Sequence, residues 1–159
     1  MTGLFRDAKA LLYLGRGIHY AIAREGALKL KESAYLQAEG FPTGELKHGP
    51  NALVGPDVPV VILTTVDRND PDSVLRYQRT LQLIRDLEPQ KARIIAIGSK
   101  DDTELSKLTP HVIRIPRASE YLLPILEVVP LQMIAYYSAV QQGIDVDRPR
   151  NLVKAVVQE

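Results

Sequence analysis

Residues 58–66 read VPVVILTTV, a continuous apolar run that is rich in β-branched side chains. Such a run is typical of a strand that is covered on both faces, as the strands of parallel sheets are. A similar run, ALLYLG, precedes it at 10–15, and two more, ARIIAIGS and HVIRIP, follow at 92–99 and 111–116. These four segments therefore predict strands of one parallel sheet.

Helical segments separate the strands, and several carry terminal signals such as a capping aspartate or a closing glycine. The predicted helices run from about Ile18, from Asp70 to about Leu87, over a short segment from Asp101, and from Ser119 to Gly143. Alternation of this kind predicts an α/β fold with right-handed crossovers. We expect a three-layer αβα domain with a doubly wound parallel sheet of four to five strands and helices on both faces; the fifth strand would lie near 38–44.

Composition excludes several functional classes. The chain has 159 residues and a net charge of +1, and we interpret residues 1–159 as one domain. Lysine and arginine are dispersed, which argues against a nucleic-acid face or a polybasic membrane patch. There is no cysteine, and the three histidines lack the spacing of metal ligands, so no metal site is predicted. For each histidine we expect a surface or hydrogen-bonded core position.

One segment has the length of a membrane span. The run 121–140 is largely apolar, but Pro124, Glu127, Pro130 and Gln132 interrupt it, so a buried or dimer-forming helix is expected and no membrane role. The first ten residues carry charges and lack the apolar centre of a signal peptide, which favours the cytoplasm.

The first turn from strand to helix reads LGRGIHY at 14–20. Strand ends of this kind bind ligands in open α/β sheets, so the turn is a candidate nucleotide site. However, a dinucleotide fingerprint needs a third glycine, and position 20 is tyrosine. We therefore interpret the two glycines as a tight turn.

Three charged residues form a row on the predicted first helix. Glu25, Lys29 and Glu32 are spaced i, i+4 and i+7, which places them on one helix face. The rest of the helix is apolar nearly all round, so we expect it to be buried and its charges to be paired or to face a cleft. A desolvated carboxylate beside a lysine could move protons. The alternative is two intrahelical ion pairs on a solvated face.

The last residues, IDVDRPRNLVKAVVQE at 144–159, contain a further lysine, Lys154. One interpretation is a frayed polar terminus. The other is a tail that docks through its valines and presents Lys154 in an apolar place, where a lowered pKa would make the amine nucleophilic.

Two motifs together, EGALKLKE…GELKHGP and DVDRPRNLVKAVVQE, resemble the C-terminal sugar isomerase (SIS) domain of the glutamine–fructose-6-phosphate aminotransferases, the glucosamine-6-phosphate synthases. The resemblance extends from Gly15 to Glu159. It implies conversion of fructose 6-phosphate and ammonia to glucosamine 6-phosphate, with no metal or organic cofactor and a homodimer as the assembly.

The same resemblance implies a role for each matching residue. Glu32 matches the carboxylate that moves a proton between the first two sugar carbons, and Lys154 matches the lysine that forms a Schiff base with the ketose. His48 matches a histidine that assists ring opening and comes from the partner subunit. Lys29 and Glu25 match supporting charges, of which the lysine can stabilise an oxyanion.

Parts of the family pattern are missing. A glutaminase domain and a first SIS domain with a phosphate-binding turn are expected in the family, and LGRGIHY offers no hydroxyl cluster to replace that turn. We therefore expect an excised domain with little synthase activity alone. Two alternatives stay open: a self-standing SIS isomerase with Arg16, Thr64 and Thr65 as candidate phosphate-binding residues, and a non-catalytic sugar-phosphate-binding module.

Overall fold

The computed structural model describes residue 5 and residues 7–152. These residues form five strands and four α-helices, with short 3₁₀ segments at Leu46–His48, Pro50–Leu53 and Glu88–Gln90. In chain order the elements are β1 (Leu11–Gly15), α1 (His19–Ala34), β2 (Ala38–Pro42), β3 (Val60–Leu63), α2 (Pro71–Asp86), β4 (Ile94–Ser99), α3 (Leu105–Leu108), β5 (His111–Ile115) and α4 (Leu123–Gln141).

The sheet is parallel throughout, with the strand order β2-β1-β3-β4-β5. The predicted fifth strand is β2, which pairs with β1 so that Leu11 lies opposite Ala38. From β1 the chain moves to β2 at one edge of the sheet. From β3 it moves through β4 to β5 at the other edge. The predicted doubly wound sheet is thereby confirmed, and its switch point lies between β1 and β3.

Both faces of the sheet are covered. Successive side chains of a strand point to opposite faces, so the central strands contribute to two separate cores. Leu11, Tyr13 and Val61 pack on the side of α1 and α4. Leu12 and Val60 pack on the side of α2 and α3. The expected three-layer arrangement is confirmed.

The turn between β1 and α1 depends on two glycines. A Cβ at Gly15 would lie 2.3 Å from the backbone oxygen of His19, so only glycine lets the first helical turn sit directly on the strand end. Gly17 has a φ of +61°, a conformation that side chains rarely adopt. The interpretation of this segment as a tight turn is confirmed.

The ends of the longer helices follow their sequence signals, with one exception. Asp70 Oδ1 accepts the backbone N–H groups of Asp72 and Ser73 at 2.9 and 3.3 Å and so caps α2. Gly143, with a φ of +70°, follows the end of α4. The predicted start of α4 at Ser119 is wrong, because residues 119–122 form a turn and α4 begins at Leu123.

Helix α4 is long and apolar enough to span a membrane by length and composition alone. Its inner face is nevertheless part of the core, where Leu131, Ile134 and Ala135 pack with α1. Its outer face leaves Ile125 and Val129 more than half exposed. The expectation of a buried helix is confirmed for the inner face, and a dimer contact through α4 stays a prediction.

Candidate active site

The charged row lies at the border between the buried and the exposed face of α1. The side chains of Glu25, Lys29 and Glu32 are 39%, 31% and 30% exposed. Arg24 and Lys31 are exposed beside them. The expectation that α1 is buried nearly all round is wrong, because the sheet and α4 cover only one face and the small or aliphatic residues of the other face remain in water.

Lys29 joins the two carboxylates of the row. Its Nζ lies 2.6 Å from Glu32 Oε2 and 3.6 Å from Glu25 Oε1, so both foreseen intrahelical pairs are present. The hydrogen bond with Glu32 raises the pKa of Lys29 above its ordinary value, and the charges of both glutamates add to this. The lysine is therefore held as an ammonium group that can donate to an oxyanion.

A cleft of about 460 Å³ opens beside the last turn of α1. Glu32 and Tyr35 line it from the helix, and residues 150–152 line it from the tail. The backbone N–H of Arg150 donates to Tyr35 Oη at 2.9 Å, and the guanidinium carbon lies 4.1 Å from the centre of the tyrosine ring. These contacts bring the tail back to the helix that carries the charged row.

Lys154 lies outside the described residues. The chain is described as far as Leu152, which forms part of the wall of the same cleft as Glu32. The valines through which the tail was expected to dock also lie beyond that point, so both the docking through them and the position of the lysine stay predictions.

A second groove, of about 720 Å³, adjoins the other end of the row. Glu25 and Glu39 contribute negative charge to its wall, and Arg24 and Lys31 contribute positive charge. Side chains of both signs are therefore mixed along the wall of this groove.

His48 is placed apart from this cleft. It ends the 3₁₀ segment Leu46–His48, in which Leu46 is fully buried, and its ring is exposed. Lys47 beside it forms an ion pair with Asp86 at 2.6 Å. His48 is not among the residues that line the cleft beside Glu32, so the structure does not bring these two residues together within one chain.

The candidate phosphate-binding residues lie at the carboxyl ends of β1 and β3. Arg16 is half-buried next to Gly44. Thr64 and Thr65 are fully buried, and their hydroxyl groups donate to the carbonyl of Ile97 and to the carboxylate of Glu127. Both threonine hydroxyls are thus engaged inside the protein.

A buried polar network, which the sequence analysis did not predict, lies at the switch point between β1 and β3. His19 is fully buried, with Nδ1 2.6 Å from Glu127 Oε2 and Nε2 3.0 Å from Glu120 Oε1. Arg76 binds the second carboxylate, with Nη2 2.8 Å from Glu120 Oε2. The available signal was Glu127, the one charged residue in the apolar run 121–140. The expectation of a hydrogen-bonded core position is confirmed for His19.

The buried polar network around His19 and the charged row of α1 lie in different parts of the fold. α1 begins at the carboxyl edge of the sheet, and Glu32 lies thirteen residues after His19, about 20 Å along the helix axis. The candidate active site therefore lies along the side of α1, towards its last turn, and not in the crevice where open α/β sheets usually bind ligands.

Comparison with known proteins agrees with this architecture. The sequence profile of the SIS domain family matches residues 4–141, and the chain belongs to this family. The chain is 47% identical over 154 residues to the glutamine–fructose-6-phosphate aminotransferase (isomerizing) of Chlorobaculum tepidum, covering 97% of the chain and 24% of the relative. The corresponding enzyme of Aquifex aeolicus is 46% identical, with 98% and 25% covered. The chain thus spans about a quarter of the length of these relatives.

Solved structures show the same fold. The C-terminal domain of glucosamine-fructose-6-phosphate aminotransferase from Francisella tularensis superposes with a TM-score of 0.79 at 32% identity, covering 92% of this chain and 40% of that one. The tagatose-6-phosphate ketose/aldose isomerase of Escherichia coli gives 0.77 at 25% identity, with 98% and 42% covered. The resemblance to the SIS domain of the aminotransferases is confirmed, and the chain is homologous to their isomerase half.

Proposed function

We propose that this chain supplies the isomerase chemistry for making glucosamine 6-phosphate from fructose 6-phosphate and ammonia derived from glutamine. The observation that carries the proposal is the cleft beside Glu32, whose opposite wall is the tail that leads to Lys154. The proposal puts an acid–base group, Glu32, and a candidate amine nucleophile, Lys154, beside one space, as an imine-forming isomerase requires, and the path of the tail up to Leu152 supports it.

The chemistry follows from the residue types. The amine of Lys154 attacks C2 of the open-chain ketose and water leaves, which gives a Schiff base. Ammonia then displaces the lysine and leaves an imine at C2. Glu32 removes a proton from C1 while the imine nitrogen takes up a proton from solvent, which gives an enolamine. Glu32 then returns its proton to C2 while the C1 hydroxyl releases its proton to solvent, which leaves an aldehyde at C1 and an amine at C2. Lys29 stabilises negative charge that develops on oxygen, and Glu25 holds Lys29 in place.

The phosphate end of the substrate needs a separate binding place. The groove beside the charged row carries side chains of both signs, and the hydroxyls of Thr64 and Thr65 are engaged inside the protein. We propose that further parts of a longer synthase hold the phosphate and that the chain alone has little turnover. We also propose a cytoplasmic homodimer, in which the exposed His48 serves the cleft of the partner subunit and assists ring opening.

Trapping with borohydride tests the role of Lys154. Reduction in the presence of fructose 6-phosphate should attach the sugar to Lys154, as read by peptide mass spectrometry, and the Lys154→Arg variant should lose the label. Lys31, which is exposed and lines the same cleft, is the internal control. Equal labelling of Lys31 and Lys154 would contradict a specific Schiff base.

Variants of the row separate catalysis from binding. In the longer synthase that contains this domain, Glu32→Gln should lower the rate of the isomerase step at least 100-fold, because general acid–base catalysis contributes about 10²–10⁴-fold. Binding of fructose 6-phosphate, measured by calorimetry, should change much less. A synthase that retains its rate after this substitution would leave the cleft with a binding role only.

A further inference from the structure

The carboxylate of Glu120 is surrounded by three donor side chains, one from α1 and two from α2. Its Oε1 lies 2.9 Å from Arg76 Nε and 3.0 Å from His19 Nε2. Its Oε2 accepts from Arg76 Nη2 at 2.8 Å and from Ser73 Oγ at 2.5 Å. We call His19, Ser73 and Arg76 the donor site. Arginine, imidazole and hydroxyl groups converging on one point are the groups with which proteins bind phosphate and similar oxyanions.

The donor site holds more donors than its internal carboxylate uses. Arg76 is 7% exposed, and its Nη1 is buried without a hydrogen-bond partner among the described residues. An unpaired buried donor is uncommon, since it costs free energy. A carboxylate offers two acceptor oxygens, whereas a tetrahedral oxyanion offers more. The unpaired N–H groups of Arg76 Nη1 therefore suit a ligand that has more acceptor oxygens than Glu120.

A cavity of about 260 Å³ is lined by residues 66–69 and 117–119, which end directly before Glu120 in the chain; the donor-site residues themselves do not line it. Ser119, the neighbour of Glu120 in the chain, lines it, and so do Arg68 and Arg117. Asp67 in the same wall is a negative group, but it accepts the backbone N–H groups of Asn69 and Glu120. The cavity gives room for an ion; of its two arginines Arg117 is paired with Asp101, and Arg68 adds positive charge to the wall.

We propose that the donor site is an oxyanion-binding site whose present occupant is the carboxylate of Glu120, and that a free phosphate-class oxyanion takes this place when the carboxylate is removed. In the unaltered chain the tethered carboxylate has a large advantage over a free ion, because it loses no translational freedom when it binds. The switch-point crevice is therefore closed by the protein itself. This proposal does not depend on the synthase reaction.

The ionisation of Glu120 agrees with a carboxylate that occupies the donor site permanently. Burial alone would raise the pKa of this carboxyl group, but the hydrogen bonds from Arg76, Ser73 and His19 outweigh it and lower the pKa to about 2. The group is thus ionised throughout the ordinary pH range. The other groups facing the donor site are Glu127, on the far side of His19, and the carbonyl of Thr65, which accepts from Arg76 Nη2.

The test is a titration of Glu120→Ala with inorganic phosphate at constant ionic strength, followed by NMR of the backbone amides. We expect phosphate to bind Glu120→Ala at least tenfold more tightly than the unaltered chain, with shifts concentrated in residues 67–76. The matched control is Glu104→Ala, which removes the same charge from an exposed residue paired with Lys107. It should bind phosphate no better than the unaltered chain.

Three results would overturn the proposal. The first is a folded Glu120→Ala variant that binds phosphate no more tightly than the Glu104→Ala control. The second is equal binding by the unaltered chain, because Glu120 would then not be the occupant. The third is a Glu120→Ala variant that remains unfolded both without phosphate and with it, since an ion that fits the donor site should restore the fold. Refolding by phosphate, but not by chloride, would support it.

Discussion

The buried pair of His19 and Glu127 allows a strong prediction about stability. Both side chains are fully buried, and Nδ1 lies 2.6 Å from Oε2. Replacing His19 with leucine leaves the Glu127 carboxylate in the core with Thr65 as its remaining partner. Removal of one partner of a buried pair costs about 3–5 kcal/mol, whereas replacement of both by apolar groups is often nearly neutral.

The assay is a double-mutant cycle measured by urea unfolding at pH 7. We expect His19→Leu to lower the free energy of unfolding by about 3–5 kcal/mol. Glu127→Leu should cost less, about 1–3 kcal/mol, because His19 keeps Glu120 as a partner. The double variant should lose clearly less than the sum of the two, since it contains no stranded carboxylate.

The reasoning is refuted if His19→Leu costs under about 1 kcal/mol, or if the two losses add within about 0.5 kcal/mol. Equal m-values for the four proteins would show that the same unfolding reaction is compared.

Three further predictions concern the turn before α1, the donor site and the charged row. Gly15→Ala should cost at least about 2 kcal/mol in urea unfolding, because its Cβ would meet helix backbone, while Gly55→Ala, whose Cβ would meet nothing within 4 Å, should change little. Because the pKa of Glu120 is lowered to about 2, its stabilisation is present above pH 4.5 and is lost as the pH falls towards 2. The loss should amount to about 3 kcal/mol in acid unfolding curves and be absent from Glu120→Gln. Lys29→Met should cost less than about 1 kcal/mol, because its pair with Glu32 is part-exposed; that contribution is present below pH 10.5 and is lost as the pH rises through the raised pKa of the lysine. A cost of 3 kcal/mol would contradict this small surface contribution.

Much of the fold could be predicted because its strands and helix ends depend on local sequence. The run at 58–66 is β-branched on both faces, which only a covered strand tolerates, and Asp70 reaches N–H groups two and three residues away. The start of α4 was mispredicted for a non-local reason. The side chain of Glu120 binds residues 44 and 101 positions away, Arg76 and His19, and no pattern near it reveals this.

The candidate site was predictable in its residues but not in its surroundings. Spacing placed Glu25, Lys29 and Glu32 on one face of α1, where the structure has them. Their exposure was mispredicted, because alanine and leucine on an outer helix face look like core residues in a sequence although single apolar side chains in water are common. The distance between His48 and the cleft depends on the loop after β2, which periodicity does not describe.

The order of the elements has a consequence for synthesis on the ribosome. The inner face of α1, with Ala23, Ala27 and Leu30, is covered by α4, although the two helices are separated by nearly ninety residues of chain, from 35 to 122. During translation the apolar side of α1 therefore stays uncovered until α4 has emerged from the ribosome. We expect nascent chains that stop before 123 to present this surface to chaperones, and release of that protection to coincide with the arrival of residues 131–139.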